Sequence, residues 1–247
     1  MVISLERVND SETAALTRRT LFGLTAGAAV LAVGTTPASA ATAPAPTSTT
    51  VTAAQAWQLL VKGNTRFVTG HQTHPDESLQ WRESLVSAQH PFAIILSCVD
   101  SRVPPELVFD EGFGDLFVIR AAGEVLDSSV IGSIEYGVEH LGVPLIVVLG
   151  HESCGAVSAT IDVVHGTATA TGDISMLVRS IEPAVRATPA NADAAAFLRA
   201  CVAEQTRRSA SMLQERSSIV RDAVARNAVQ VISATYELVT GKVTRLT

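Results

Sequence analysis

The sequence lacks the motifs that identify several large classes of ligand-binding protein. Its 247 residues contain neither a G-x-G-x-x-G fingerprint nor a P-loop, so neither of these modes of nucleotide binding is predicted. Basic residues are outnumbered, since 18 lysines and arginines oppose 24 aspartates and glutamates and leave a net charge of −6. Because nucleic-acid binding depends on a basic surface, this balance argues against a nucleic-acid partner.

Cysteine is also scarce, with three in the chain. Cys98 and Cys154 each come shortly after a strand-like run, and Cys154 lies three residues beyond His151. Cys201 falls in a predicted late helix. It is either a buried free thiol or, if the chain is exported, a site of cross-linking between chains.

The amino-terminal region lacks an apolar run long enough to span a membrane. Its weakly apolar stretch covers residues 21–34, whereas a transmembrane helix needs about 20 residues. Arg18-Arg19 precedes this stretch, and Ala38-Ser39-Ala40 after it has the small-x-small form of a cleavage site. We therefore predict that residues 1–40 are a twin-arginine signal peptide, with export to the periplasm or the exterior and no stable membrane insertion after cleavage. The alternative is a fortuitous arginine pair in a disordered tail.

The remainder of the chain divides into a linker and one folded domain. Residues 41–51 are rich in proline, threonine and alanine and are predicted to be disordered, because they offer almost nothing to bury. The chain is 47% hydrophobic, which is enough for a substantial core. We predict that residues 52–247 form one α/β domain with a mostly parallel central β-sheet flanked by helices.

Two short apolar runs, at residues 92–97 and 145–149, have the length and composition of buried parallel strands. In a parallel α/β sheet the carboxyl ends of neighbouring strands share one edge, and ligands bind there. The side chains that follow the two runs at this edge are Cys98, Asp100, His151 and Cys154.

These four side chains suggest a metal site. A lone cysteine or histidine is more often part of the core than a ligand. Two thiolates, an imidazole and a carboxylate together, however, are a set suited to zinc. The sequence therefore predicts a zinc site at the carboxyl edge of the sheet.

The motifs around these residues resemble those of the β-class carbonic anhydrases. The specific pair is C-V-D-S-R at residues 98–102 followed by H-E-S-C at residues 151–154. The resemblance extends from about residue 53 to the C-terminus. Further stretches match the family pattern in order at residues 63–70, 101–106, 114–120, 132–138 and 231–243.

The resemblance implies a zinc enzyme that reversibly hydrates carbon dioxide to bicarbonate and a proton. Zinc held by Cys98, His151 and Cys154 keeps one open position, where bound water becomes hydroxide near neutral pH. Asp100 orients that hydroxide, and Arg102 keeps Asp100 ionised and off the metal through a bidentate pair. Without the pair, Asp100 could become the fourth ligand and close the site. If residues 98–102 are extended, Cys98, Asp100 and Arg102 project to one side.

The family pattern also assigns three substrate contacts. Gln89, nine residues before Cys98, falls where the family carries an active-site glutamine at the edge of the dimer interface. Phe117 and Tyr136 fall at positions that line a small apolar substrate pocket, although either also fits a plain core position. The family's first helix packs on a partner subunit, so the resemblance implies a homodimer or a tetramer.

Two other functions remain open. Carbonyl sulfide and carbon disulfide hydrolases share this scaffold and ligand set. A zinc-bearing binding protein without turnover is the second alternative, but no catalytic position is visibly lost. Two further zinc classes are excluded, because H-E-S-C lacks the second histidine of H-E-x-x-H metalloproteases and the H-x-E with P-C-x-x-C of zinc deaminases.

Periodicity and capping signals place the other elements. Helices are predicted over residues 52–70, 76–89, 155–164, 175–185 and 194–226, and from Ser128 or Ser129 to Leu141. Further strands are predicted over residues 116–120 and 229–235, the second followed by a hairpin turn at 240–242 and an edge strand.

Overall fold

The computed structural model describes residues 51–247, and a five-stranded sheet runs through them. The strands are β1 (Ala93–Ser97), β2 (Leu116–Arg120), β3 (Leu145–His151), β4 (Gln230–Tyr236) and β5 (Val243–Arg245). Their order is β2-β1-β3-β4-β5, and only β5 runs antiparallel to its neighbour. The predicted α/β class with a mostly parallel sheet is confirmed. The predicted signal peptide and almost all of the predicted linker lie outside the described residues.

Helices flank the sheet and account for most of the other residues between 51 and 247. They are α1 (Ala53–Thr69), α2 (Leu79–Ser84), α3 (Pro105–Val108), α4 (Ser128–Glu139), α5 (Gly155–Val164), α6 (Ile174–Ala187), α7 (Ala194–Arg216) and α8 (Ser218–Ala225). Within residues 51–247, none of them combines the length and the apolar character that crossing a bilayer requires.

The ends of α1 lie where the sequence predicts them. The Thr52 side chain accepts a hydrogen bond from the Gln55 N–H, and the Gln55 side chain accepts one from the Thr52 N–H at 2.9 Å, which together form a capping box. The helix stops at Gly70, whose φ of 69° lies in the left-handed region that glycine adopts without strain.

Asn64 ties α1 to two other parts of the domain. Its Nδ2 donates to the carbonyl oxygens of Val108 at 3.0 Å and Gly241 at 2.8 Å, and its Oδ1 accepts from the Val243 N–H at 2.9 Å. Asn64 is buried. These bonds hold α1 against α3 and against the turn between β4 and β5, so the predicted hairpin at residues 240–242 is confirmed.

The helix α2 is much shorter than the predicted helix over residues 76–89. Asp76 has a φ of 56°, in the left-handed region, whereas a residue that caps a helix is typically extended. Its carbonyl oxygen accepts from the Phe113 N–H at 3.3 Å. Ser78 supplies the cap instead. The predicted start is wrong because Asp76 bonds to the loop at Phe113. The predicted end is wrong as well, since α2 stops at Ser84 and Gln89 lies outside any helix.

The predicted helix over residues 194–226 is in fact two helices, α7 and α8. Ser217 between them is extended, and its hydroxyl donates to Glu135 at 2.6 Å while accepting from the first turn of α8. A serine that caps a helix and bonds a second element favours a break over a continuous helix. The predicted cap of α4 is also displaced, because Asp127 rather than Ser128 or Ser129 accepts the capping bond.

The core lies on both faces of the sheet, and β1 and β3 are buried along their whole length. Ile94 and Leu96 of β1 pack towards α4, α7 and α8, whereas Ile95 packs towards α1. Gly150 lets α7 approach the end of β3, because a β-carbon at that position would lie 2.1 Å from the Thr206 hydroxyl. This close packing fixes the carboxyl edge of β1 and β3, where the predicted ligands lie.

Candidate metal centre

Three ligand-type side chains meet at the carboxyl edge of the sheet. Cys98 follows β1, His151 ends β3, and Cys154 immediately precedes α5. The two sulfur atoms and a ring nitrogen of His151 all lie within 4.8 Å of one another. All three residues are buried. The structure therefore brings together three of the four predicted ligands, and we refer to Cys98, His151 and Cys154 as the metal cluster.

Strand register explains why these residues converge. In the parallel pairing of β1 with β3, Ser97 lies opposite Leu149, so both strands end at nearly the same level. Ser153 has a φ of 56°, a left-handed conformation that is uncommon for serine. This tight turn brings Cys154 back towards the ring of His151.

The ring of His151 is oriented as a metal ligand should be. Nδ1 lies 2.9 Å from the carbonyl oxygen of Glu152, which makes Nδ1 the protonated nitrogen and leaves the lone pair on Nε2. Nε2 is buried and has no hydrogen-bond partner among the described residues. Buried polar atoms are rarely left unpaired. The donor set therefore fits a zinc ion held by Nε2 and the two sulfur atoms.

The two thiols of the metal cluster differ in acidity. A hydrogen bond from Cys154 lowers the pKa of Cys98 below the ordinary thiol value, against the opposing effect of burial. The same contact, together with burial, raises the pKa of Cys154. One thiolate is thus readily formed, and a metal bound through both sulfur atoms would displace the remaining proton.

Asp100 lies beside the metal cluster but is paired with Arg102. Arg102 Nε donates to Oδ1 at 2.9 Å, Nη2 donates to Oδ2 at 2.7 Å, and the Arg102 backbone N–H also donates to Oδ1 at 3.0 Å. Hydrogen bonding from Arg102 lowers the pKa of Asp100 well below its usual range. Oδ2 is 3.9 Å from His151 Nε2. Asp100 was predicted either to be a fourth ligand or to orient the metal-bound hydroxide. In this structure its carboxylate is paired with Arg102 and lies beside the metal cluster.

The backbone conformation between Asp100 and Arg102 differs from the predicted extended one. Ser101 and Arg102 form a turn, so Asp100 and Arg102 do not project in parallel from a strand. The Asp100 carboxylate accepts from the backbone two residues later, which is the usual behaviour of an aspartate at a turn. The predicted pair is present, but the predicted extended geometry is wrong.

Solved structures share this fold. A structure reported with two tetrameric β-carbonic anhydrases from Sordaria macrospora superimposes with a TM-score of 0.62 at 20% identity, covering 77% of this chain and 96% of that one. The β-carbonic anhydrase of Coccomyxa, solved in complex with acetazolamide, gives a TM-score of 0.61 at 23% identity, covering 76% and 84%. At these identities the likeness shows the fold alone.

Sequence comparison is more specific. The family model described as carbonic anhydrase matches residues 93–243. Carbonic anhydrase 2 of Mycobacterium tuberculosis is 40% identical over 187 residues, which cover 76% of this chain and 89% of the relative. The chain belongs to the β-carbonic anhydrase family. The carbonic anhydrase of Mycolicibacterium smegmatis is likewise 40% identical, over 192 residues that cover 76% of this chain and 90% of the relative.

In this β-carbonic anhydrase, Arg120 supports the metal cluster in a way that the sequence did not indicate. Arg120 ends β2, next to β1, and its Nε and Nη2 donate to the carbonyl oxygens of Cys98 at 2.9 Å and Asp100 at 2.6 Å. These bonds hold the backbone that carries both side chains. The position of Arg120 could have indicated this role, since Arg120 ends a third strand at the same edge of the sheet.

Two of the three predicted substrate contacts lie together in this β-carbonic anhydrase, and the third, Gln89, lies in a separate segment. The rings of Phe117 and Tyr136 stack on each other with centroids 6.4 Å apart, and Tyr136 remains 48% exposed. Gln89 is exposed in the segment between α2 and β1. Within residues 51–247, no hydrogen bond joins Gln89 to the metal cluster. The roles of these three residues towards substrate stay predictions.

The third cysteine of this β-carbonic anhydrase lies outside the metal cluster. Cys201 is fully buried in α7 as a free thiol among apolar neighbours such as Phe197 and Val202. Burial raises its pKa. This agrees with the first of the two predicted alternatives, a buried free thiol.

Proposed function

We propose that the protein catalyses the reversible hydration of carbon dioxide to bicarbonate and a proton, with zinc held by Cys98, His151 and Cys154. The relatives named above carry the name carbonic anhydrase, which supports this reaction class. The observation that carries the proposal is the Asp100 carboxylate, held by Arg102 at 3.9 Å from the unpaired Nε2 of His151.

A zinc ion in the metal cluster would act as a Lewis acid that brings the pKa of a water molecule towards neutrality. The protein must then orient the reacting groups and keep ligands of its own away from the open position. Asp100 performs the first task, because an ionised carboxylate accepts a hydrogen bond and so fixes the direction of its donor.

Arg102 performs the second task. Its two parallel N–H donors satisfy both carboxylate oxygens of Asp100, so the carboxylate gains little by turning towards the metal position. Arg102 also favours the ionised form of Asp100, whose pKa is lowered chiefly by the hydrogen bond from Arg102. Asp100 therefore remains an acceptor across the neutral range.

We propose that Gln89, Phe117 and Tyr136 form the substrate-facing wall in an assembled dimer or tetramer. One of the structures with the same fold is described as tetrameric, which supports an assembly for this chain. The exposed apolar side chains Leu59 and Val61 on α1 also favour an interface on that helix. An assembly would give the exposed amide of Gln89 a neighbour to complete the pocket.

A stopped-flow assay with a pH indicator tests the proposed reaction. The purified, zinc-loaded protein should accelerate carbon dioxide hydration, and Asp100→Asn should slow it by about 10–100-fold, as loss of an outer-sphere partner does at other metal sites. A parallel assay for sulfide release from carbonyl sulfide distinguishes the alternative hydrolase activity. Release of sulfide without hydration of carbon dioxide would contradict the proposal, as would inactivity of the zinc-loaded protein towards both substrates.

Export through the twin-arginine route remains our proposal for location, and it rests on the sequence of residues 1–40 alone. A route that carries folded proteins suits this chain, because the thiolates of the metal cluster could bind zinc before they meet an oxidising exterior.

A further inference from the structure

A tight turn between β2 and α4 contributes a hydrogen-bond donor to the metal cluster. The backbone N–H of Gly123 donates to Sγ of Cys98 at 3.4 Å. Gly123 and Glu124 both have positive φ, 63° and 50°, so the turn contains two consecutive left-handed residues. A left-handed conformation is unfavourable for a glutamate, and the surrounding structure must therefore hold it in place.

Two polar side chains of α7 hold this turn. Gln205 Nε2 donates to the carbonyl oxygen of Gly123 at 2.8 Å, and Ser209 Oγ donates to the carbonyl oxygen of Glu124 at 2.9 Å. Gln205 Nε2 also lies 3.2 Å from Ser209 Oγ. The two residues are one helical turn apart, so they present their donors side by side to consecutive carbonyl groups.

Both side chains are buried, with Gln205 and Ser209 each 3% exposed. The face of α7 that they share is otherwise largely apolar, with Val202 and Leu213 buried along it. Apolar side chains would pack such a face without the cost of burying an amide and a hydroxyl. The donors of Gln205 and Ser209 therefore specify the conformation of the turn. This conformation directs the Gly123 N–H at the sulfur atom of Cys98.

We propose that Gln205 and Ser209 are positioning residues for the ligand Cys98, acting through the turn at Gly123 and Glu124. The inference rests on the proposed metal site. An N–H donated to a thiolate withdraws charge from sulfur and fixes the side chain, so the bond sets both the affinity of the cluster for a metal and the electron donation by Cys98.

The first measurement is zinc affinity, determined on the full folded chain by competition with a chelating indicator. Gln205→Leu keeps the size of the side chain but removes its donors, and it should weaken zinc binding by about 10–100-fold. Ser209→Ala should weaken it in the same direction, and Ser209→Thr, which retains a hydroxyl, should restore part of the loss. Thr188→Val is the matched control, because Thr188 is buried and its hydroxyl donates to the carbonyl oxygen of Ala184, not to the turn or to the metal cluster.

The second measurement uses Co²⁺ in place of zinc. The thiolate-to-cobalt charge-transfer band should move to lower energy in Gln205→Leu and Ser209→Ala, because a sulfur that accepts no N–H gives up its electrons more easily. The band of Thr188→Val should match that of the parent. A generally loosened fold would lower the affinity of all three variants without this selective shift.

Two results would overturn the proposal. One is a folded Gln205→Leu protein that keeps parental zinc affinity and an unshifted Co²⁺ band, and the other is a Thr188→Val protein that shows equal changes. Should Gln205→Leu fail to fold, the pair Ser209→Ala and Ser209→Thr decides by the same two measurements. Because neither readout is catalytic, a protein that shows the predicted shifts but hydrates no carbon dioxide would overturn only the proposed function.

Discussion

Arg102 contacts both carboxylate oxygens of Asp100, with Nε 2.9 Å from Oδ1 and Nη2 2.7 Å from Oδ2. The arginine side chain is 53% exposed, whereas that of Asp100 is 17% exposed. An ion pair so close to solvent contributes little to stability. Its consequence is local, because it fixes the charge and the direction of a carboxylate next to the metal cluster.

Replacement of Arg102 should therefore affect activity more than stability. In Arg102→Gln we expect activity to fall by about 10–100-fold. In the parent protein Arg102 is the main cause of the low pKa of Asp100. In the variant this pKa should rise towards the ordinary aspartate value near 3.9. Since Asp100 must be ionised to accept a hydrogen bond, the acid limb of the pH–rate profile should move to higher pH. Steady-state kinetics across the acid range provide the measurement.

The matched control for this change is Arg186→Gln. Arg186 forms an ion pair with Glu182 at 2.6 Å on the exposed face of α6, four residues apart. Its loss should leave both activity and the pH profile unchanged. An Arg102→Gln enzyme with parental activity and an unmoved acid limb would show that the pair with Asp100 has no catalytic role.

Zinc content provides a direct test of the ligand assignment. The protein should contain about one zinc per chain, because three protein ligands with one open position are the set expected of a catalytic zinc site. Cys98→Ser or Cys154→Ser should lose the metal, because a serine hydroxyl is a far poorer zinc ligand than a thiolate. Cys201→Ser, which alters the cysteine outside the cluster, should keep it. Full zinc occupancy in either ligand variant, measured by elemental analysis, would refute the assignment.

The meeting of Cys98 and His151 could be predicted from the sequence, because it follows from where the two strand-like runs end. The runs that became β1 and β3 are short and apolar. Cys98 directly follows the first and His151 ends the second, so the parallel pairing of these two strands brings both residues to one edge. The capping box of α1 was predictable for the same reason, since Thr52 and Gln55 act within one helical turn. Features that depend only on neighbouring residues in the chain can be predicted in this way.

Contacts between distant segments were not predictable. Ser217 interrupts a helical pattern because its hydroxyl donates to Glu135, some eighty positions earlier in the chain. The residues around Ser217 do not indicate this partner. Gln205 and Ser209 have the polarity of a solvated helix face, yet they are buried against the turn at Gly123. Tertiary partners decide such cases, and only the folded structure reveals them.

Export can be tested independently of catalysis. If residues 1–40 are a twin-arginine signal, changing Arg18→Lys together with Arg19→Lys should leave the protein inside the cell and uncleaved, because the arginine pair is the recognised element. Fractionation followed by mass measurement of the chain shows both location and cleavage after Ala40. Arg226→Lys, a change at the exposed end of α8, serves as the control. Unchanged export of the double variant would refute the prediction.

Asn64 should be important for stability, since three hydrogen bonds to Val108, Gly241 and Val243 depend on it. Asn64→Ala leaves these buried backbone groups without their partner, and at about 1 kcal/mol for each bond the free energy of unfolding should fall by about 3 kcal/mol. Thr65→Ala is the control, because the exposed Thr65 hydroxyl bonds only within α1. Urea unfolding of both variants gives the comparison, and equal losses would show that the Asn64 bonds contribute nothing specific.

The raised pKa of Glu111 predicts how the stability of the protein changes with pH. Burial, and then the charge of Asp115, raises the pKa of Glu111 to about 8, whereas an unfolded glutamate titrates near 4.3. The folded state therefore binds the proton of Glu111 more tightly than the unfolded state does. The stability that this proton contributes is complete below about pH 4 and is lost as the pH rises through about 8. Glu111→Gln removes this titration, so relative to the parent it should become progressively more stable between pH 5 and about 9. Denaturant unfolding at several pH values measures the difference, with Glu106→Gln as a control at an exposed carboxylate. A difference that stays constant across this range would mean that Glu111 is ionised in the folded protein, despite its burial beside Asp115.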